Sequence, residues 1–180
     1  MQWNGRMACL IGGALVSASI GPAPAAMARS AVIARAMLLD GKGAPSGEAT
    51  LTDRGGALTV KLSVHGLPPG RHGVHLHTVG SCNAPDFTSA GGHLNPQGRM
   101  HGSLNPQGSH LGDLPNLAVG RGGSGTLTVK LAGSRDEIWP ALFDGDGTAL
   151  VVHASPDDYR TDPSGNSGAR IACGVLTRVR

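Results

Sequence analysis

Six of the eight histidines in this chain fall between residues 70 and 113: His72, His75, His77, His93, His101 and His110. Residues 79–116 are rich in glycine, proline and asparagine and lack hydrophobic periodicity, so they cannot bury an apolar face of their own. A loop this long inside a compact domain needs something other than a core to hold it. Imidazole is neutral near pH 7 and offers a nitrogen lone pair that suits zinc or copper, and ligation can replace the missing burial. The fold must therefore gather these histidines.

The rest of the chain reads as short strands. Residues 57–64 place Leu58, Val60, Leu62 and Val64 on one face and Thr59, Lys61 and Ser63 on the other, the pattern of a half-buried antiparallel strand. It recurs at 126–131, where Leu127, Val129 and Leu131 oppose Thr126, Thr128 and Lys130. Residues 48–51, 149–152 and 171–176 add shorter runs, while the alanine-rich 30–39 fits a strand or a helix. No stretch shows a long helical period. With 29 Gly and 12 Pro supplying turns, and only two Trp, one Tyr and two Phe, the expected fold is all-β: an antiparallel sandwich or small barrel with an aliphatic core. Two long loops, 79–116 and 155–168, stand outside this pattern. Asn-Pro-Gln-Gly occurs at 95–98 and 105–108, a turn former used twice and too closely for a structural repeat.

Residues 1–28 read as a secretory leader: Arg6 gives a basic start, residues 7–20 are apolar or small, and Ala26-Met27-Ala28 has the form of a cleavage site. The apolar run is shorter than the roughly 20 residues a membrane span needs, so no span is expected. The mature domain is then 29–180, periplasmic or secreted. Setting the leader aside removes Cys9 and leaves Cys82 and Cys173 as a pair, either one disulfide or two separate buried thiols. The formal charge falls from +3 (15 against 12) to +2 (14 against 12), without a basic cluster, which excludes a nucleic-acid footprint.

His75 and His77, two apart on a strand, project from one face and can offer two imidazoles to one ion. His153, at the end of 149–152, can join them if its strand lies nearby; taken alone it is a hydrogen-bonded strand-end histidine. His93, His101, His110 and Asp113 form a second set, with the composition of a closed tetrahedral zinc shell.

The segments 72–77 (His-Gly-Val-His-Leu-His), 91–96 (Gly-Gly-His-Leu-Asn-Pro), 110–113 (His-Leu-Gly-Asp), 150–153 (Leu-Val-Val-His) and 168–175 (Gly-Ala-Arg-Ile-Ala-Cys-Gly-Val) closely resemble, in order, the signature segments of the secreted bacterial copper/zinc superoxide dismutases. That family is itself a standard instance of the β-sandwich architecture. The resemblance implies a Greek-key sandwich or flattened barrel with metal-binding and active-site loops. It implies copper on His75, His77, His93 and His153, zinc on His93, His101, His110 and Asp113, and His93 shared between them. It also implies a Cys82–Cys173 disulfide, an anion-docking role for Arg170, and a role for Asp157 in orienting His75 and His101, with Asp158 the neighbouring candidate. His72 is expected to be structural and His65 to end a strand. The implied substrate is superoxide, with Arg71, Arg99 and Arg160 as candidates for steering it. A homodimer and a monomer stay equally open. The competing readings are an exported metal-binding module and, more weakly, a zinc hydrolase, which a closed four-ligand zinc disfavours.

Overall fold

The computed structural model describes residues 1, 2 and 29–179, so the expected leader, apart from its first two positions, lies outside the described residues. Nine strands follow in order: β1 (Ala31–Asp40), β2 (Pro45–Arg54), β3 (Ala57–Val64), β4 (Gly70–His77), β5 (Asp113–Val119), β6 (Gly125–Lys130), β7 (Ala149–His153), β8 (Arg170–Val175) and β9 (Thr177–Arg178). They form one antiparallel sheet in the order β5-β4-β7-β8-β1-β2-β3-β6, with β9 beside β1. The two ends of this path are consecutive in sequence. β5 and β6 are joined by a tight turn in which Gly120 N–H donates to Ser124 O at 2.9 Å, so the sheet curls into a nearly closed barrel. Because β3 pairs with β6 and β4 with β7, the connections cross as in a Greek key.

The ambiguous segment 30–39 becomes β1, since it finds partners on both sides, in β2 and in β8 with β9. The core is aliphatic: Leu38, Leu51, Leu58, Leu62, Leu76, Leu117 and Leu150 are fully buried. Each contributes about 1.5–3 kcal/mol relative to exposure. Phe87 lies outside this core, in a small cluster with Ala90, Ala149, Val151 and Cys173. There the Cys82–Cys173 disulfide, with Cα atoms 5.6 Å apart, ties the first long loop to β8.

The structure departs from expectation in two places. β5 begins at Asp113, inside the stretch read as loop, because His75 pairs with Asp113 and draws the ligand-bearing end of the loop into the sheet. One short helix, α1 (Arg135–Leu142), was not anticipated from periodicity, which eight residues barely display. Its signal was Ser134-x-x-Glu137: the Glu137 carboxylate accepts from Ser134 N–H at 2.6 Å, and Ile138 and Leu142 are buried beneath it.

Candidate metal centre

β4 positions the centre. Val74 and Leu76 face the main core, so strand alternation turns His75 and His77 to the opposite face, where the two long loops cover them. The register Val74↔Val152 and His75↔Val151 carries the end of β7, and with it His153, to the same place. His93 arrives from the loop through an isolated bridge to His77, with Leu94 N–H donating to Leu76 O at 2.8 Å.

Each of these four rings is anchored at one nitrogen. His75 Nε2–H donates to Asp157 Oδ2 at 2.7 Å, His77 Nδ1–H to Gly91 O at 2.9 Å and His153 Nδ1–H to Gly168 O at 3.2 Å, while His93 Nδ1 is held 2.9 Å from Asp113 Oδ1 in the second set. The other nitrogens, His75 Nδ1 and the Nε2 atoms of His77, His93 and His153, are buried without hydrogen-bond partners. The four residues bring one ligand atom each to within 4.8 Å of one another. An unsatisfied buried polar atom costs about 1–3 kcal/mol. Four converging lone pairs are therefore hard to explain unless a cation accepts them.

The second set is built around Asp113. Its Oδ1 lies 2.9, 3.1 and 3.2 Å from the Nδ1 atoms of His93, His101 and His110, and the Nδ1 atoms of His93 and His110 are 3.4 Å apart. Bonds of about 2.0–2.1 Å to a tetrahedral zinc give ligand–ligand edges of about 3.3 Å, so the donors fit such an ion. His101 Nδ1 makes no hydrogen bond despite its nearness to the carboxylate. Asp113 Oδ2 points away and accepts from the backbone N–H groups of Gly102 and His110 at 2.9 and 3.0 Å, which fixes the carboxylate plane.

Asp157 stands behind both sets. Its Oδ2 accepts from His75 and its Oδ1 from His101 Nε2–H at 3.0 Å. Asp158 instead turns outward to hold Thr161 and Asn166. Burial pushes His77 down to about 2, His153 to about 3 and His93 to about 4, which keeps their lone pairs free at neutral pH. His101 goes the other way: burial opposes its charge, but the carboxylates of Asp113 and Asp157 outweigh burial and raise it to about 9.

Arg170 opens β8, half-buried at the edge of the first set. Its two terminal nitrogens donate to Phe87 O and Gly91 O, both at 2.6 Å, and Gly91 O is also the anchor of His77. The guanidinium is thereby fixed one carbonyl away from the first histidine set. His72 lies outside both sets, buried with its ring nitrogens 2.8 Å from His153 O and from Pro68 O, where it joins the ends of β4 and β7. His65 is exposed just beyond β3, and Arg71, Arg99 and Arg160 are exposed.

Residues 45–176 match the family model described as copper/zinc superoxide dismutase (SODC). The chain belongs to the copper/zinc superoxide dismutase family. It is 41% identical over 151 residues to the "Superoxide dismutase [Cu-Zn]" of Caulobacter vibrioides, covering 79% of this chain and 84% of that one. It is 42% identical over 146 residues to "Superoxide dismutase [Cu-Zn] 2" of Aquifex aeolicus, covering 79% and 85%. Among solved structures, a SOD-like protein from Bacillus subtilis superposes with a TM-score of 0.74 at 40% identity, covering 79% of this chain and 97% of that one. The Cu/Zn superoxide dismutase from Brucella abortus gives 0.63 at 30% identity, covering 83% and 100%.

Two further residues at the centre escaped the sequence reading, Asn116 and Tyr159. Asn116 exchanges two hydrogen bonds with the backbone of Asp157, and Tyr159 contacts both. An isolated Asn on an edge strand and a loop Tyr carry no sequence signal of such a pairing, which arises only when the two long loops meet.

Proposed function

We propose that this family member is an exported superoxide dismutase that holds copper on His75, His77, His93 and His153 and zinc on His93, His101, His110 and Asp113. The observation that carries the reading is the convergence of four buried, unpartnered imidazole nitrogens, three on rings hydrogen-bonded at the other nitrogen and the fourth on His93, whose other nitrogen faces Asp113 in the second set. Imidazole-rich sets suit copper, and a closed three-imidazole, one-carboxylate set suits zinc.

Copper, when bound, supplies one-electron redox chemistry, oxidising one superoxide to dioxygen and reducing a second, with two protons, to hydrogen peroxide. The chain supplies the rest. Arg170, with two donors spent on Phe87 O and Gly91 O, keeps its remaining N–H groups and full charge for a small anion. Those two carbonyls prevent the guanidinium from swinging away, so the anion is held rather than merely attracted. His93 belongs to both sets, with Nδ1 committed on the Asp113 side and Nε2 on the other. Nε2 is thus the atom at which a proton can be held and passed on. Asp157 keeps the His75 and His101 rings in single orientations. Export through a leader at 1–28 agrees with the Cys82–Cys173 disulfide, which persists in an oxidising compartment. Among the described residues no helix is long and apolar enough to cross a membrane.

The test is metal analysis with a superoxide-decay assay on the purified mature protein. One copper and one zinc per chain with catalytic decay is the expected result. Both metals bound without activity would overturn the enzyme reading in favour of a metal-binding module. Mass spectrometry of the exported form checks the leader, and an N-terminus that retains residues 1–28 would overturn it.

A further inference from the structure

Asp157 reaches both metal sets through its carboxylate, with Oδ2 on His75 and Oδ1 on His101. Its position comes from behind. Asn116, half-buried on β5 and three residues beyond Asp113, accepts Asp157 N–H on Oδ1 at 2.8 Å and donates Nδ2–H to Asp157 O at 2.9 Å. This closes both backbone groups of Asp157 onto one side chain, as a strand neighbour would. Asn116 N–H in turn donates to Tyr159 Oη at 2.8 Å, and Tyr159 N–H donates to Asp157 Oδ1 at 2.6 Å. Tyr159 holds the left-handed conformation (φ 62) that this return contact requires, an uncommon choice for an aromatic residue. Its carbonyl accepts Leu104 N–H at 3.0 Å and lies so close to Gly102 that a Cβ there would overlap it. The loop carrying Asp157, the loop carrying His101, and the strand carrying Asp113 therefore meet at two residues that ligate nothing.

We propose that Asn116 and Tyr159 are positioning residues, which together fix the backbone and carboxylate of Asp157 so that His75 and His101 are aimed at the two metals in one register. The proposal rests on the two-metal reading above. Partners of metal ligands typically alter affinity 10–100-fold when removed. Asn116 and Tyr159 act one bond further out, so an effect near the lower end, about tenfold, is expected.

Three variants of the full mature protein test it, read by zinc affinity in chelator competition and by the copper electron-paramagnetic-resonance signal. Asn116→Ala should weaken zinc binding about tenfold and move the copper signal toward that of zinc-depleted wild type; Tyr159→Phe should do the same more weakly. Leu117→Ala, next to Asn116 but fully buried in the main core, is the control. It should lower the melting temperature while leaving zinc affinity and the copper signal as in wild type. If Asn116→Ala lowers only the melting temperature, as the control does, the positioning role is overturned. Should that variant fail to fold, Tyr159→Phe decides, because it deletes one hydroxyl: unchanged zinc affinity overturns the proposal. Failure of the enzyme reading looks different. Wild type would then lack dismutase activity, while zinc affinity would still fall in Asn116→Ala.

Discussion

At the scale of single residues, the centre depends on which atoms are committed and which are free. Arg170 has two donors committed to main-chain carbonyls, so replacing it with Ala should remove anion docking without touching a metal ligand. A charged hydrogen bond contributes about 1.5–3 kcal/mol, so kcat/KM for superoxide should fall about 10–100-fold with copper content unchanged. Equal loss of copper and activity would contradict the docking role. The histidines set the pH response of the metal-stripped protein. His77, His93 and His153 are held at about 2, 4 and 3, below the ordinary value of 6.5. Between those values and 6.5 the unfolded chain binds more protons than the folded one, so stability falls as pH falls through this window. His101, raised to about 9, binds more protons folded than unfolded between 6.5 and about 9. Its contribution is lost as pH rises through that range. Melting of chelator-treated protein against pH should therefore peak near the ordinary histidine value and decline on both sides. A monotonic profile would contradict these shifts.

At the scale of elements, the two loops are held by contacts that no strand supplies. The disulfide closes a separation of 91 residues. In the chain-entropy model this stabilises by about 4–5 kcal/mol, and for a domain of this size each kcal/mol moves Tm by about 2–4 °C. Strong reductant should therefore lower Tm by about 10 °C or more; an unchanged Tm would count against that contribution. The loop after β7 returns through Gly165, whose φ of 64 favours glycine and whose missing Cβ leaves room for Asp157 and His101 Nε2. A methyl there cannot be accommodated without moving Asp157 or the His101 ring. Gly165→Ala should thus release zinc, as read by metal analysis. Full retention would mean that the loop relaxes elsewhere.

At the scale of the whole molecule, an aliphatic barrel stands apart from the loops that cover one of its faces. Metal removal should raise amide exchange in residues 79–112 and 154–169 while leaving β1, β2 and β3 protected, because those strands bury Leu38, Leu51, Leu58 and Leu62 independently of any ligand. Uniform loss of protection would mean that barrel and loops fold as one unit. The strands were legible because alternation is a local property. Residues 57–64 announce β3 at its observed bounds, and the identities of Leu58, Val60, Leu62 and Val64 alone determine which face goes inside. The His-x-His on β4 was legible for the same reason, as were the candidate ligands, whose residue types carry their chemistry with them.

Other features depended on partners distant in sequence. Residues 30–39 could be either strand or helix until β2 and β8 supplied hydrogen-bond partners. Asp113 looked like the end of a loop until it paired with His75 as the start of β5. From the residues alone, the two histidine sets were separate, and only the family resemblance joined them at His93. In the fold that junction is a matter of distance: the His93 ring lies 3.8 Å from that of His75 and 5.2 Å from that of His101, between a strand and a loop. By itself the sequence determined an all-β chain with an aliphatic core and an unusual supply of metal-binding side chains. Only the tertiary structure decided which ring nitrogens are anchored and which face one another, and that Asn116 and Tyr159 stand behind Asp157. Alternation and residue type are written along the chain, whereas convergence requires segments distant in sequence to be packed by the barrel, as His75 and Asp157, 82 residues apart, are.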